Sequence, residues 1–366
     1  IVTELRSRVE SLYGDSSRRL VADTLAALGV QHARVEMDDA GALPFVIQAR
    51  IEAAVRRAGA DVGLGVLPEW APNTREPTRR DRFRRSRLYL PGNEPKFMLN
   101  AGLHRPDGVI LDLEDSVAPT VKDEARLLVR NALRAVDFRG AERMVRINQG
   151  DLGLDDLNVV AAQNVHVVLI PKVEDPEQVR AVDERLDQIL ASTGAEFSKP
   201  LLMPIIESAR GALRAFEIAT ASPNICALTI GLEDYTADIG AQRTTEGRES
   251  FWARCQVVNA ARAAGVQPID TVYSDVADVE GLRAAVLEAR GLGFEGKGCI
   301  HPRQIRVIHE AFAPGPDEVE KARRIVAAFE EAQARGLAAV ALGSKMIDPP
   351  VVRRAQRTVQ LAEARE

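Results

Sequence analysis

Between Arg87 and Ile300 the chain carries eight short apolar runs, each ending on a polar or charged residue. Arg87–Leu90 precedes Pro91-Gly92, Gly108–Leu113 precedes Glu114-Asp115, Met144–Ile147 precedes Asn148, and Val165–Ile170 precedes Pro171-Lys172. Leu201–Ile206 then runs into Glu207, Ala227–Ile230 into Gly231-Leu232-Glu233-Asp234, Gln267–Ile269 into Asp270, and Gly298–Ile300 into His301. Short apolar runs without strict alternation suit parallel strands buried on both faces. Amphipathic stretches at Ala118–Ala135, Asp175–Ser192, Ala209–Ala219, Ser250–Ala264 and Val279–Leu292 predict helices between them. Eight strands alternating with helices over residues 87–312 predict an α/β chain folded as a (β/α)8 TIM barrel. A doubly wound open sheet would show the same local pattern, and the number of strands separates the two. In a barrel the C-terminal strand ends converge, so the polar endings meet in space. Glu207 and Asp234 then stand where a barrel enzyme would hold a divalent metal.

Ahead of these runs the periodicity describes a smaller α/β module, residues 1–60. Arg18–Leu28 reads as a helix closed by Gly29, and Ala33–Met37 as a half-buried strand before the turn Asp38-Asp39-Ala40-Gly41. Leu43, Val46, Ile47, Ile51, Ala54, Val55 and Ala58 mark one face of a second helix that stops at Gly59. Residues 61–86 lose the apolar period: Gly63, Gly65, Pro68, Pro72 and Pro77 lead into the basic stretch Arg79-Arg80-Asp81-Arg82-Phe83-Arg84-Arg85. This predicts a solvated interdomain linker. Residues 313–366 are expected to form a C-terminal helical lid segment.

Composition changes this picture little. With 366 residues, 46% hydrophobic, 28% charged and a formal net charge of −5, the chain reads as a soluble globular protein. The acidic balance argues against a nucleic-acid partner, and no run approaches the roughly 18 apolar residues of a membrane span. Together with the lack of a signal-peptide pattern, this predicts a cytoplasmic location without a membrane partner. Cys226, Cys255 and Cys299 suit neither a disulfide framework nor a zinc site and are expected as buried small hydrophobes. The chain opens on Ile1 without an initiator methionine, so its natural N-terminus is expected to lie further upstream.

Ordered motifs carry a family resemblance. "VTELRSRVESLYGDSSRRLVADTLAALGV" and "DDAGALPFVIQARIEAAVRRAG" resemble the acyl carrier protein (gamma subunit) of citrate lyase. From "RRSRLYLPGNEPK" onward the chain resembles citrate lyase beta subunits and their relatives in the HpcH/HpaI aldolase superfamily. The matching motifs are "LDLEDSV" at 111–117, "VRIN" at 145–148, "PIIESARG" at 204–211, "IGLEDYTADIG" at 230–240, "GFEGKGCIHPRQ" at 293–304 and "GSKMIDPP" at 343–350.

That resemblance implies an Mg2+-dependent carbon–carbon lyase that cleaves a citryl or related 3-hydroxyacyl thioester to a 2-oxo acid and an acetyl-type thioester. Glu207 and Asp234 become the metal ligands, a sufficient protein set because Mg2+ keeps waters and accepts the two oxygens of an oxo acid. Arg146 becomes the arginine that contacts the oxo acid, since a planar fork matches a carboxylate. Glu114 and Asp115 are expected to hold metal-bound water, and Arg87 and Gly92 to accommodate substrate oxygens or the thioester arm. Asp348 is expected to reach a neighbouring subunit's active site, which implies a homo-oligomer, a trimer or hexamer; the base is either Asp348 or a metal-bound hydroxide. Lys297, His301 and Gln304 match family positions at the barrel mouth, and Gly211 is expected to let its helix approach closely. The thioester is carried either on a phosphopantetheine-type arm, with other citrate-lyase-like subunits as partners, or as free CoA, as in malyl-CoA or citramalyl-CoA lyase or a malate synthase/thioesterase. A non-catalytic scaffold subunit is the third reading. Ser16 and Ser17 do not match the carrier family's attachment serine, which lies near the N-terminus in that family; either it precedes the present sequence or the module has lost it.

Overall fold

The computed structural model describes residues 1–60, 62–63, 65–194, 196–334, 340–342 and 345–363. It divides into two compact units, Ile1–Ile305 and Arg306–Glu366. Gly343 and Ser344 of the "GSKMIDPP" motif lie outside the described residues.

The first unit opens with β1 (Val2–Ser7), α1 (Glu10–Ala27), β2 (Arg34–Asp39) and α2 (Pro44–Arg57), with β1 and β2 paired in parallel. Val21, Leu25, Leu28, Ile47 and Ile51 form its core. Asp39 closes the turn before α2 by accepting from the backbone N–H groups of Gly41 and Ala42 at 2.8 and 2.7 Å, an Asx-type turn.

Glu52 on α2 ties the module to the rest of the first unit. This fully buried carboxylate accepts from Nη1 and Nη2 of Arg130 at 3.0 and 2.7 Å and from Nη2 of Arg56 at 2.9 Å. Next to it Asn131 donates to the Phe45 carbonyl at 3.0 Å.

The barrel is built from β3 (Ser86–Pro91), α3 (Pro95–Ala101), β4 (Gly108–Asp112), α4 (Lys122–Ala135), β5 (Glu142–Arg146), α5 (Gly150–Val160), β6 (Val167–Ile170) and α6 (Pro176–Thr193). It continues through β7 (Leu201–Ile206), α7 (Ala209–Leu213), α8 (Ala215–Ala219), β8 (Ala227–Ile230), α9 (Leu232–Asp238), α10 (Arg248–Ala264), β9 (Gln267–Asp270), α11 (Val279–Leu292) and β10 (Gly296–Cys299). The strands close in the order β10-β3-β4-β5-β6-β7-β8-β9, all parallel, as the eight apolar runs predict. The predicted Ala209–Ala219 helix is two short ones that meet at Arg214, whose φ and ψ of −101° and 11° interrupt the helical ladder.

Successive side chains on a strand point to opposite faces. Ile110 and Asp112, Met144 and Arg146, and Ile205 and Glu207 therefore share the inner face, the apolar member in the core and the polar one nearer the C-terminal mouth. At the opposite end Arg84 plugs the barrel, donating to Glu142 at 2.7 and 2.8 Å and to Gln267 Oε1 at 2.6 Å. This corrects the solvated reading of the arginine-rich stretch at Arg84, which is 1% exposed because Glu142 gives its charge a partner inside the protein, whereas Arg79, Arg80 and Asp81 are exposed.

In the second unit α13 (Pro316–Ala334) and α14 (Pro349–Glu363) pack around Ala322, Ile325, Phe329, Ile347, Val352 and Ala355, with a hairpin of β11 (Val340–Leu342) and β12 (Lys345–Ile347) between them. α12 (Pro302–Phe312) spans the boundary between the units. Cys226 and Cys299 are buried, as expected, whereas Cys255 is only half-buried. Among the described residues no helix is long and apolar enough to cross a membrane.

Candidate active site

A cavity of about 410 Å³ opens at the C-terminal mouth, and Arg87, Tyr89, Asp112, Asp115, Arg146, Glu207 and Asp234 all line it. Five of these were expected to share a site; Tyr89 and Asp112 were not singled out.

Glu207 follows β7 and is 6% exposed. Its Oε2 accepts from the Lys172 backbone N–H at 2.9 Å. Gly231, at the end of β8, makes room for the other oxygen: a β-carbon there would overlap Oε1. Burial pushes the Glu207 carboxyl up to about 7, and the negative charges of Asp234 and Glu114 add to the effect. Asp234, half-buried, sits in the first turn of α9 beside it.

Arg146 is fixed rather than free. Its Nε and Nη2 donate to the two oxygens of Asp112 at 2.6 and 2.7 Å, Nη1 lies 2.9 Å from Glu114 Oε2, and its guanidinium carbon is 5.3 Å from the centre of the Tyr89 ring. Burial alone would lower its pKa, but the paired Asp112 carboxylate holds it above the usual arginine value. Asp112, whose other donors are Ser116 and the Glu114 backbone, is the residue that orients Arg146.

Glu114 and Asp115 share a cation that sequence reasoning missed. Lys172 Nζ is 3.1 Å from Glu114 and 3.3 Å from Asp115, and its backbone adopts a φ of +49°. Burial raises the Glu114 carboxyl. Glu114 also accepts from Gln149 at 2.9 Å, while its Oε2, although close to Arg146, finds no aligned donor. The signal for Lys172 was its place directly after the fourth barrel strand, the same signal that marked Glu207.

Arg87 is 1% exposed and makes no ion pair among the described residues. Its contacts are Met203 Sδ at 3.1 Å, Thr229 Oγ1 at 3.3 Å and the Asp270 carbonyl at 3.4 Å, and Nε has no partner. Burial lowers its pKa. A buried guanidinium with an unsatisfied N–H beside a cavity is a place where an anion gains more than it would in water.

Among the described residues no group of three or more histidine, cysteine or carboxylate side chains converges as a self-sufficient metal cage. The residues present do fit a Mg2+ ion that keeps waters and takes substrate oxygens. Glu207 and Asp234 offer hard oxygen donors, and both line the same cavity.

Other expected positions are placed elsewhere. Gly92 does not line the cavity; it lets β3 turn against β4, where a β-carbon would lie 2.5 Å from the Asp112 carbonyl oxygen, and its N–H donates to that oxygen at 2.8 Å. Gly211 packs as expected, with the Val173 carbonyl 2.5 Å from where its β-carbon would be. Lys297 is buried with its Nζ 2.7 Å from Asp270, and it lines a second cavity with Leu232, Glu233, Thr271 and Tyr273. His301 and Gln304 are turn residues: His301 accepts from the Arg303 N–H at 3.1 Å, and Gln304 accepts from Ile300 and donates to Tyr273. Asp348 belongs to the second unit, where it caps α14 by accepting from the Val351 N–H at 3.2 Å.

Comparison with known proteins agrees with this geometry. Residues 85–302 match the HpcH/HpaI aldolase/citrate lyase family, and residues 1–58 match an acyl-carrier family described as malonate decarboxylase delta subunit (MdcD). Citrate lyase subunit beta of Haemophilus influenzae is 39% identical over 77% of this chain and 98% of its own length. Mitochondrial citramalyl-CoA lyase of Mus musculus is 36% identical over 76% of this chain and 86% of its own. Among solved structures, the CitE protein of Mycobacterium tuberculosis in complex with magnesium, acetoacetate and coenzyme A is 29% identical and superposes with a TM-score of 0.62 over 78% of this chain and all of its own. A citrate lyase beta subunit from the same organism, complexed with oxaloacetate and magnesium, is 31% identical, with a TM-score of 0.53 over 64% of this chain and 99% of its own. With its closed parallel barrel, its carboxylate and arginine mouth and relatives matched along nearly their whole length, the chain belongs to the HpcH/HpaI aldolase/citrate lyase family of lyases.

Proposed function

We propose that this lyase cleaves a citryl or related 3-hydroxyacyl thioester, with Mg2+, into a 2-oxo acid such as oxaloacetate and an acetyl-type thioester. The observation that carries the reading is one cavity lined by two arginines, Arg87 buried and Arg146 half-buried, together with Glu207 and Asp234. Glu207 and Asp234 would hold the ion, whose Lewis acidity polarises the oxo-acid oxygens. Arg146, oriented by Asp112, matches the oxo-acid carboxylate, and Arg87 offers its unsatisfied N–H to an anionic oxygen. A base takes the hydroxyl proton, the oxygen becomes the carbonyl of the oxo acid, and the electron pair of the broken bond passes into the thioester as an enolate that is then protonated. Asp348 of a neighbouring subunit serves as that base in a homo-oligomer, trimer or hexamer, and Glu114, Asp115 and Lys172 orient water at the site. The domain division follows the sequence: a carrier-like module at 1–60, a barrel at 87–312 and a lid at 313–366.

A second reading, free CoA thioesters such as citramalyl-CoA, is favoured by the likeness to citramalyl-CoA lyase.

The test is turnover of citryl-CoA, citramalyl-CoA and malyl-CoA with and without Mg2+, following oxo-acid release. Glu207→Gln and Asp234→Asn should each abolish cleavage and the rise in melting temperature that Mg2+ gives the wild type. Metal-dependent cleavage that survives in both variants would sink the assignment. Mixing Asp348→Asn with Glu207→Gln subunits should restore part of the activity if Asp348 acts in a neighbour. Intact mass of the natural protein would separate a phosphopantetheine-type arm from free CoA.

A further inference from the structure

A cavity of about 740 Å³ lies away from the barrel mouth, between the N-terminal module and the outer face of the barrel. One wall is α4, which presents Arg126, Arg130 and Arg134 at successive four-residue steps, so their side chains stand one above another. Arg56 from α2 and Arg75 also line it: Arg56 shares the Glu52 carboxylate with Arg130, and Arg75 lies over the Trp70 ring that Arg134 also meets. Arg126 pairs with Asp156, Arg130 and Arg56 share Glu52, and Arg75 pairs with Glu196, which leaves Arg134 without a carboxylate among the described residues. Arg134 makes no ion pair among the described residues and donates only to the Pro68 carbonyl and Gln163. Nη2 of Arg126 is buried and has no acceptor. The acids that line the cavity, Asp123 and Glu196, stand at its rim with side chains 79% and 73% exposed. A flat apolar wall completes it: Trp70 and Phe197 meet edge to face with centroids 5.1 Å apart, and Arg134 stacks 4.1 Å from the Trp70 ring.

We propose that this cavity binds a nucleotide-type anion, its phosphates beside Arg126, Arg134 and Arg75 and its base against Trp70 and Phe197. A set of guanidinium groups matches a chain of phosphates, whereas the aromatic pair has no use for a bare inorganic polyanion. The volume falls within the range of small-molecule sites. Because α2 and α4 both line it, a bound nucleotide bridges the module and the barrel.

The same chemistry could come from a free nucleotide or from the nucleotide half of coenzyme A. Calorimetry on the full chain in EDTA, which silences a metal-dependent site, would use ADP, 3′,5′-ADP, coenzyme A, adenosine and pyrophosphate as probes. ADP should bind with one-to-one stoichiometry, and Arg134→Gln and Arg75→Gln should each weaken it roughly tenfold, the size expected for one charge-assisted hydrogen bond. Trp70→Ala should weaken ADP but not pyrophosphate, and Glu207→Gln should leave ADP binding unchanged. Arg75 is half-exposed, with its one ion pair to the exposed Glu196 and its guanidinium over the Trp70 and Phe197 rings, so its variant should fold and keep the test valid if Arg134→Gln does not. Tighter binding of 3′,5′-ADP and coenzyme A than of ADP would assign the site to the coenzyme. Three results would overturn the proposal: no binding at millimolar ADP, pyrophosphate binding as tightly as ADP, or loss of ADP binding in Glu207→Gln with retention in Arg134→Gln and Arg75→Gln.

Discussion

Gly231 keeps open the volume that the Glu207 carboxylate fills, although 24 residues separate them: a β-carbon on Gly231 would overlap Oε1 of Glu207. Gly231 has an extended backbone, φ −111° and ψ 108°, that any residue adopts, so the requirement is space rather than conformation. Gly231→Ala should therefore fold with a melting temperature near that of the wild type while losing cleavage activity by roughly a hundredfold or more, because a displaced group at a reacting centre is that costly. Equal activity in the two proteins would remove Glu207 from the reaction.

Arg146→Lys keeps the charge but loses the fork that Asp112 orients. We expect kcat to fall by roughly 10²–10³, as when one oriented donor to developing negative charge is removed, with Arg146→Gln little worse than Arg146→Lys. Steady-state kinetics of both variants checks this; full activity in Arg146→Lys would mean that point charge alone suffices.

The Glu52–Arg130 pair, with both side chains at least 97% buried, should be sensitive to removal of one partner. Glu52→Gln is expected to cost about 3–5 kcal/mol in urea denaturation, whereas Glu52→Leu combined with Arg130→Met should recover most of that loss, since the second change removes the stranded charge.

His166 supplies a pH signature of stability. Its Nδ1 accepts from the Arg143 N–H at 3.1 Å and its Nε2 faces the Glu76 carbonyl at 2.8 Å, the arrangement of a neutral ring. Burial, reinforced by the Arg143 charge, pushes its pKa down to about 3. The unfolded chain, with an ordinary histidine near 6.5, therefore binds the extra proton first as pH falls. The stabilisation is complete above about pH 6.5 and is lost progressively as pH drops toward 3. Urea unfolding between pH 7 and 4 should show His166→Gln with a shallower slope than wild type, by up to about 1.4 kcal/mol per pH unit.

The barrel was legible because most of its strand positions are buried on both faces, which concentrates apolar residues into short runs even where a strand such as β5 or β10 carries a buried charge. β1 was not: Val2–Ser7 alternates exposed and half-buried positions in a two-stranded pair, and its polar residues hide the pattern. Glu207, Asp234 and Arg146 could be found at or just beyond strand ends. Asp112 could have been found by continuing the inward alternation from Ile110, but Lys172 needed the turn geometry that brings a cation back over Glu114 and Asp115. Arg84 was misread for a related reason, since its partner Glu142 lies 58 residues away and nothing local announces it.

The seam at Glu52 and Arg130 also bears on how such a chain can be divided. A barrel encoded apart from its N-terminal module would expose Arg130 and Asn131 on α4 without the carboxylate and the carbonyl that meet them here. A separated module and barrel would each hydrate the groups that meet here, so the seam holds the two pieces together only as long as water is kept from it.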